Sequence, residues 1–489
     1  MIQIAFKEFL GNSPNWFKLS ILVFLVLCFP IKMALGTTVV GWMFLGMFIL
    51  TLAMALKCYP LQSGGILGLG ILALGLTSPG TVWHEIQANL GVLALLIFMV
   101  SFIYFMKPLL TFVFAKLIIN VESKWMLSLM FSIMAAFLSA FLDALTVTAV
   151  LITVFVALYS VYERIYSSSN AAFDYDDADE GTLSDNSLEE FRAFIRSLVM
   201  HGAIGTALGG VTTMVGEPQN LLIADKMGWN FIEFAQEMSH VTIYAVIAGF
   251  LTCIALEITG TLGYGGKLDS DVRAILKDYI KDQDENRTQK EVYGLLVQGA
   301  CGILLIIGLA LHIMEVGLVG LCLLVAVTAL TGINEEHKIG KAFEESLPFV
   351  SLLCIFFVVV GMIHDQHLFS PVIQWVLSLP IEVQPRAFFL ANGVLSAISD
   401  NVFVATVYIN EVKAAFDAGA ISREHFEALA VSINTGTNLP SVATPNGQAA
   451  FLFLLTSALA PLIQLGYVRM VIMAVPYTIV LTIVGYLCQ

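Results

Sequence analysis

Charged residues are scarce in this chain. Only 12% of its residues are Asp, Glu, Lys or Arg, whereas 58% are hydrophobic, and the mean hydropathy is +0.86. A soluble domain has about 25% charged residues, so the composition excludes an ordinary soluble protein. Apolar runs long enough for helical spans of about 20 residues recur, for example at 16–35, 241–262 and 468–487. The composition therefore predicts an all-α polytopic membrane protein.

Cysteine is also rare. The seven cysteines lie in or beside apolar runs, and no C-x-x-C pattern occurs. A disulfide framework and a structural metal site are therefore both disfavoured. Metalloprotease, nucleophile-elbow and phosphate-loop motifs are missing, and so is any nucleic-acid signature. We therefore predict no enzyme activity, no cofactor and no nucleic-acid partner.

Acidic residues outnumber basic ones, and the excess is local. The formal net charge is −14. Much of it falls in one acidic loop, 163–191, and a block of like charge is typical of a solvated segment. The alternative is an antechamber that attracts cations. The basic residues are densest in a charged linker, 263–291.

This linker gives the chain an orientation. The positive-inside rule places it in the cytoplasm. Six predicted spans precede it in 16–262, so the N-terminus, with an interfacial segment at 1–15, is predicted to be cytoplasmic too. An odd number of spans follows in 292–489. About eleven spans and two hairpins are expected in total.

One short pattern occurs twice. Leu-Ser-Ala at 138–140 leads to Asp143, and Leu-Ser-Ala at 395–397 leads to Asp400 with the same spacing. The surrounding segments, 124–162 and 386–412, do not have the length of ordinary spans. We predict that each is a re-entrant hairpin that enters the membrane halfway and turns at its aspartate.

A polar segment interrupts the apolar sequence after each hairpin. The helix predicted over 192–235 is broken at 216–220, and the helix predicted over 426–460 is broken at 440–447. When Pro218 is aligned with Pro445, Glu217 corresponds to Thr444. The matching elements would enter from opposite faces of the membrane. The predicted fold is therefore two inverted repeats, and such paired interruptions are the best sequence pointer to a transporter's binding site.

The two aspartates carry the predicted chemistry. A charge at the centre of a membrane helix costs roughly 2.5–3.5 kcal/mol on insertion scales. Burial disfavours the charged form of a carboxylate, so a proton and a cation would compete for Asp143 and for Asp400. The alternative is that the turns lie shallow and both residues only cap helices.

Oxygen-bearing residues around the turns and breaks complete the predicted site, since a small hard cation takes several oxygen ligands. The candidate ion-binding and proton-coupling residues are Asp143, Thr146, Glu217, Asn220, Asp400, Asn401, Thr444 and Asn446, with Asp143 and Asp400 as sodium ligands and Thr148, Thr437 and Asn438 as further oxygen donors. Backbone carbonyls are expected to be freed at Gly216, Pro218, Pro445 and Gly447. Glu217 can instead pair locally or cap the next half-helix. His201 is a weaker candidate for pH sensing, and Glu257 is expected to reach the membrane surface from the end of its span.

These motifs resemble the NhaB-type bacterial sodium/proton antiporters, within the wider ion-transporter superfamily. The resemblance runs over the whole chain and is most specific at Phe141–Thr146, Val215–Asn220, Ser399–Asn401 and Asn438–Gly447. It implies extrusion of sodium, and of lithium, in exchange for protons across the bacterial inner membrane by alternating access. It also implies an elevator-like motion and a homodimer.

Two other functions are compatible with parts of this sequence. The superfamily includes sodium-coupled carriers of small carboxylates, whose hairpin tips typically read Ser-Asn-Thr. Here the tips read Leu142-Asp143-Ala144 and Ser399-Asp400-Asn401, and the acid in place of a neutral amide favours proton exchange. A membrane-embedded aspartyl hydrolase is the third possibility, but it gives the two broken helices no role.

Overall fold

The structure, a computed structural model, describes residues 1–171, 185–268 and 270–489, and these residues form helices and connecting turns without β-strands. The centre of the predicted acidic loop, 172–184, lies outside the described residues. So does residue 269 of the predicted linker.

The helices before the linker vary widely in length. They are Ile2–Glu8, Asn15–Leu35, Thr37–Ala53, Pro60–Ala73, Pro79–Ala88, Leu90–Tyr104 (π-helical at its centre), Lys107–Asn120, Lys124–Ser139, Ala144–Ala171, Asp185–Gly210, Pro218–Met227 and Phe231–Thr259. Gly228, in the left-handed conformation at φ 71°, ends the helix Pro218–Met227. A separate long helix therefore starts at Phe231, inside the region predicted as one broken helix over 192–235.

The remaining helices follow the same pattern of long and short pieces. They are Ser270–Glu285 in the linker, Gln289–Ala310, Val316–Thr331, Glu336–Asp365, Ser370–Leu377, Gln384–Ile398, Asn401–Asp417, Arg423–Asn438, the 3₁₀ turn Pro440–Ala443, Ala449–Thr456, Leu459–Leu462 and Tyr467–Leu487.

Among the described residues, six helices are long and apolar enough to cross a membrane. The pair Pro79–Ala88 and Leu90–Tyr104, bent by 62°, would make a seventh, and four further apolar helices are shorter. This is fewer full-length helices than the eleven predicted spans, because several apolar runs are interrupted. The run 89–119, for example, breaks at Phe105 before Pro108, which occupies the first turn of a new helix and lacks the N–H that a continuous helix would need.

The outer surface is apolar, as a membrane protein requires. Large hydrophobic side chains such as Val26, Leu69, Ile303 and Val468 are more than half exposed. Polar side chains are instead buried among the helices, and many of them lie at the turns and breaks near Asp143 and Asp400. The protein thus has an apolar exterior around a partly polar interior.

Four elements surround this polar interior and are named here by their order in the chain. They are the first hairpin (Lys124–Ser139 and Ala144–Ala171), the first broken helix (Asp185–Gly210 and Pro218–Met227), the second hairpin (Gln384–Ile398 and Asn401–Asp417) and the second broken helix (Arg423–Asn438 and Ala449–Thr456). Each broken helix packs against the hairpin that precedes it. Glycines permit this close approach: a Cβ on Gly209 would collide with the carbonyl group of Ala136, and a Cβ on Gly436 would lie 2.6 Å from Phe389 O.

Candidate functional site

Both aspartates lie at the start of the second helix of their hairpin. Leu145 N–H donates to Asp143 Oδ2 at 3.1 Å. Val402 N–H and Phe403 N–H donate to Asp400 Oδ1 at 2.9 and 3.1 Å. Both residues therefore cap the second helix of their hairpin. Capping uses one oxygen of each carboxylate, and no residue in the described part of the chain donates a hydrogen bond to the other oxygen.

The first break is held to the turn of the first hairpin. Thr213 Oγ1 donates to Ala140 O. Asn220 Nδ2 donates to Gly210 O and to Thr213 O, each at 2.7 Å. Asn220 thus satisfies carbonyls that the break releases from the helix, because a buried carbonyl without a partner is costly.

The second break is held to its hairpin in the same way. Thr444 Oγ1 donates to Ala397 O at 2.5 Å, and Ala397 lies three residues before Asp400, as Ala140 lies three residues before Asp143. Thr444 is therefore the counterpart of Thr213, and the predicted correspondence of Thr444 with Glu217 is wrong by four residues. The counterpart of Glu217 is Gln448, because each lies four residues after its threonine.

The hairpins and breaks enclose a cavity of about 460 Å³. Most of the sequence-predicted residues line it: Asp143, Thr146, Glu217, Pro218, Asp400, Asn401, Asn446 and Gly447. Tyr59, Gln219 and Glu345 also line it and were not foreseen. Gln219 lies within the predicted break at 216–220 but was not among the candidate ligands, whereas Tyr59 and Glu345 belong to no motif and reach the cavity through tertiary packing.

Other predicted residues hold the breaks in shape and do not line the cavity. Asn220 and Thr444 donate hydrogen bonds to backbone carbonyls. Gly216 permits close packing, because a Cβ at this position would lie 2.3 Å from Gly210 O. Thr437 Oγ1 donates to carbonyls of its own helix at 3.0 and 2.9 Å. Thr148, Asn438 and Pro445 are not among the cavity-lining residues either.

The charged side chains that line the cavity are all acidic. Asp143 and Glu217 are 8% and 5% exposed, and Asp400 is partly exposed. The residues that the structure shows lining the cavity include no Lys or Arg. The fourth acidic residue in the wall, Glu345, is paired with Lys107 at 2.5 Å. Three carboxylates therefore face the cavity without a basic partner, and such a surface attracts cations.

The three carboxylates do not meet at one point. Asp143 interacts electrostatically with Glu217, but the described residues contain no group of three or more His, Cys, Asp or Glu side chains that could hold a metal ion. Glu217 Oε2 accepts a hydrogen bond from Gln219 Nε2 at 2.5 Å. Glu217 Oε1 is buried and has no hydrogen-bond donor. The cavity therefore offers separate acidic positions and not one dense cluster.

Amide side chains join the two broken helices beside the cavity. Gln219 Nε2 donates to Asn438 Oδ1 at 3.0 Å, and Asn438 Nδ2 lies 3.4 Å from Asn220 Oδ1. Asn438 Nδ2 also donates to Asn434 O at 2.8 Å. These contacts connect the Glu217 break directly to the second half of the chain.

A second buried polar cluster, the Glu257 cluster, lies apart from the cavity. Glu257 Oε1 accepts hydrogen bonds from Lys124 Nζ at 3.1 Å and from Ser128 Oγ at 3.0 Å, and it also accepts from Ser197 Oγ. His201 Nε2 lies 2.8 Å from the same oxygen. The Glu257 side chain is fully buried, so the expectation that it reaches the membrane surface is wrong. The cluster ties the first hairpin to the first broken helix and to the helix Phe231–Thr259.

Comparison with known proteins identifies the family. The family model described as bacterial Na⁺/H⁺ antiporter B (NhaB) matches residues 1–489. The chain belongs to the NhaB family. Relatives named Na⁺/H⁺ antiporter NhaB include one from Saccharophagus degradans, 59% identical over 99% of this chain and 98% of the relative. Those from Alteromonas mediterranea and Pseudomonas paraeruginosa are each 57% identical, over 99% of this chain and 92% or 97% of the relative. The resemblance seen in the motifs is thereby confirmed, and NhaB proteins are named as transporters and not as enzymes.

Proposed function

We propose that this NhaB-family protein is a secondary transporter that exchanges sodium, and also lithium, for protons across the bacterial inner membrane by alternating access. The observation that carries the proposal is the set of three carboxylates around one cavity whose wall has no basic side chain. Such a cavity favours a cation or a proton over an anion. The alternative, symport of small carboxylates, would call for a cationic group to receive the substrate.

The exchange follows from competition at the carboxylates. Each of Asp143 and Asp400 uses one oxygen for its helix and has a second oxygen free of hydrogen bonds. A buried carboxylate must be neutralised by a proton or by a cation, so that loading one ligand releases the other. Thr146, Asn401 and Asn446 line the same cavity and supply neutral oxygens for a dehydrated sodium ion.

The proposed architecture is two inverted repeats with re-entrant hairpins. Its support is the recurrence of matching contacts, Thr213 with Ala140 and Thr444 with Ala397. The basic linker supports a cytoplasmic N-terminus through the positive-inside rule. Arg273 of this linker donates to Val121 O at 3.0 Å, directly before the first hairpin, which would put the outer end of that hairpin on the cytoplasmic side. A homodimer stays an expectation from the superfamily.

The experiment compares wild type with Asp143→Asn in proteoliposomes that contain a pH dye. Asparagine caps a helix about as well as aspartate, so the variant removes charge and keeps the turn. Vesicles carry an imposed proton gradient, acidic inside, and sodium is added outside. The matched control is Asp417→Asn, because Asp417 is exposed and pairs with Lys413 within its own helix.

Wild type and Asp417→Asn should alkalinise the vesicle interior when sodium is added, and Asp143→Asn should not. A pH change that survives in Asp143→Asn would keep antiport and move proton coupling to Asp400 or Glu217. An active wild-type preparation that gives no sodium response, but takes up sodium when a dicarboxylate is present, would refute antiport in favour of symport.

A further inference from the structure

Four helices begin at or beside the cavity wall. They start at Ala144, Pro218, Asn401 and Ala449. The residue before each start is Asp143, Glu217, Asp400 or Gln448. Three of these four positions carry a carboxylate, and the fourth carries a neutral amide. Gln448 is therefore the one uncharged member of this set, and it is the counterpart of Glu217 in the other half.

Gln448 is buried without hydrogen bonds. Its side chain has no exposed surface, and neither Oε1 nor Nε2 has a hydrogen-bond partner among the described residues. A buried polar group left unpaired costs about 1–3 kcal/mol. Glutamine is unfavourable at such a position unless it binds something in the working cycle.

The neighbours of Gln448 share the same deficit. The side-chain amides of Gln448 and Asn401 point toward the Glu217 carboxyl group, but neither reaches hydrogen-bonding geometry with Glu217 Oε1. Glu217 Oε1, Asn401 Oδ1 and Gln448 Oε1 are all buried without a hydrogen bond to any described residue. Three side chains from three different elements thus lie together with their hydrogen-bonding capacity unused.

We infer that Gln448 is a cation ligand, and that Gln448 Oε1, Glu217 Oε1 and Asn401 Oδ1 form a cation site between the two halves of the chain. The inference rests on the proposed function. A hard cation such as sodium takes several oxygen ligands, and it would be satisfied here by Glu217 Oε1 and by the two amides once these turn their oxygens toward it. The second oxygen of Glu217 is already held by Gln219, so one oxygen is left to face the ion.

This site draws on both halves of the protein. Glu217 comes from the first broken helix, Asn401 from the second hairpin and Gln448 from the second broken helix. An ion bound there joins elements that are separated in sequence, in the same region where Gln219 already bonds to Asn438. The loss of one ligand is therefore expected to weaken ion binding more than it slows turnover at saturating sodium.

The test uses two substitutions at Gln448 in the full-length protein. Gln448→Met keeps the length of the side chain and removes both polar groups, whereas Gln448→Glu keeps an oxygen at the same place and adds charge. The control is Gln298→Met, because Gln298 is also buried but accepts a hydrogen bond from Leu109 N–H at 2.9 Å and does not line the cavity. Two values are measured. One is the half-saturating sodium concentration for antiport in proteoliposomes, and the other is the dissociation constant for radioactive sodium bound to purified protein.

Gln448→Met should raise both values by about tenfold or more, since the loss of a group that supports a metal site costs about 10–100-fold in affinity. Gln448→Glu should lower the half-saturating sodium concentration and the dissociation constant for sodium, or leave them unchanged. Gln298→Met should leave both unchanged. Unchanged values in Gln448→Met would overturn the inference. An equal loss in Gln448→Met and Gln448→Glu would also overturn it, because it would show that Gln448 acts as a hydrogen-bond donor to Glu217.

Two further results separate this inference from the proposed function. If wild type gives no sodium-dependent pH change in active vesicles, antiport itself fails. If wild type is active and Gln448→Met does not accumulate in the membrane, Gln448→Glu decides alone: retained or tighter sodium binding supports the ligand role, and weaker binding refutes it.

Discussion

Removal of the negative charge at Glu257 should destabilise the protein strongly. Glu257 Oε1 receives hydrogen bonds from Lys124, Ser128 and Ser197, and His201 Nε2 lies 2.8 Å away. The side chains of Glu257 and Lys124 are 0% and 12% exposed. Glu257→Gln leaves the Lys124 ammonium group buried without a counter-ion, and breaking a buried pair in this way costs about 3–5 kcal/mol. We expect a loss of stability of that size.

The assay is equilibrium unfolding in mixed micelles, with helicity as the signal. Glu257→Gln, Lys124→Met and the double variant form a double-mutant cycle. The double variant removes both charges, so that neither is left buried without its partner. It should therefore be more stable than the sum of the two single losses predicts, by about 0.5–3 kcal/mol. Glu382→Gln is the control, because Glu382 is exposed and a surface substitution changes stability by about 0.5 kcal/mol or less. A Glu257→Gln loss below about 1 kcal/mol, or additive losses across the cycle, would refute the reasoning.

Three further predictions concern the site. Gly209→Ala forces a Cβ against the Ala136 carbonyl group, so it should lower stability by about 1–3 kcal/mol, as measured by thermal unfolding, and reduce antiport. Thr213→Val and Thr444→Val each remove a hydrogen bond between a break and its hairpin, and both should reduce the maximal antiport rate in proteoliposomes. The half-saturating sodium concentration should rise as pH falls, by up to about tenfold per pH unit for each proton displaced, when initial rates are measured at a series of pH values.

Each of these predictions has a control and a contrary outcome. Gly294→Ala places its Cβ in open space and should not destabilise the protein, so equal losses in both alanine variants would contradict the packing argument. If Thr213→Val has no effect while Thr444→Val is inactive, the two threonines are not counterparts. If acid lowers only the maximal rate and leaves the half-saturating sodium concentration constant, protons and sodium do not compete for the same groups.

The location of the site could be predicted from sequence because its markers are local. Asp143 and Asp400 stand out as charges within apolar sequence, and Pro218 and Pro445 stand in polar segments that interrupt it. These signals depend on neighbouring residues alone. They were sufficient to predict that the turns and the breaks contribute to one site, and the structure brings them to one cavity.

The register between the two breaks could not be predicted, because it is set by tertiary hydrogen bonds. Alignment of the prolines pairs Glu217 with Thr444, whereas the bonds of Thr213 and Thr444 to their hairpins pair Glu217 with Gln448. The Glu257 cluster escaped prediction for the same reason. Lys124 and Glu257 are far apart in the chain, and only the packing of their helices turns two exposed-looking charges into a buried pair.

We expect the residues that cap the helices around the cavity to select the charge of its ligand. The N-terminus of a helix carries about half a positive charge, so four such ends carry about +2 in total and would favour an anion. Asp143, Glu217 and Asp400 outweigh them when ionised, and the cavity then favours a cation or a proton. Neutral residues at these caps would leave the positive helix ends unopposed. We therefore expect the charge of these caps to decide whether the cavity takes a cation or an anion, and Gln448 is the one uncharged residue among the four.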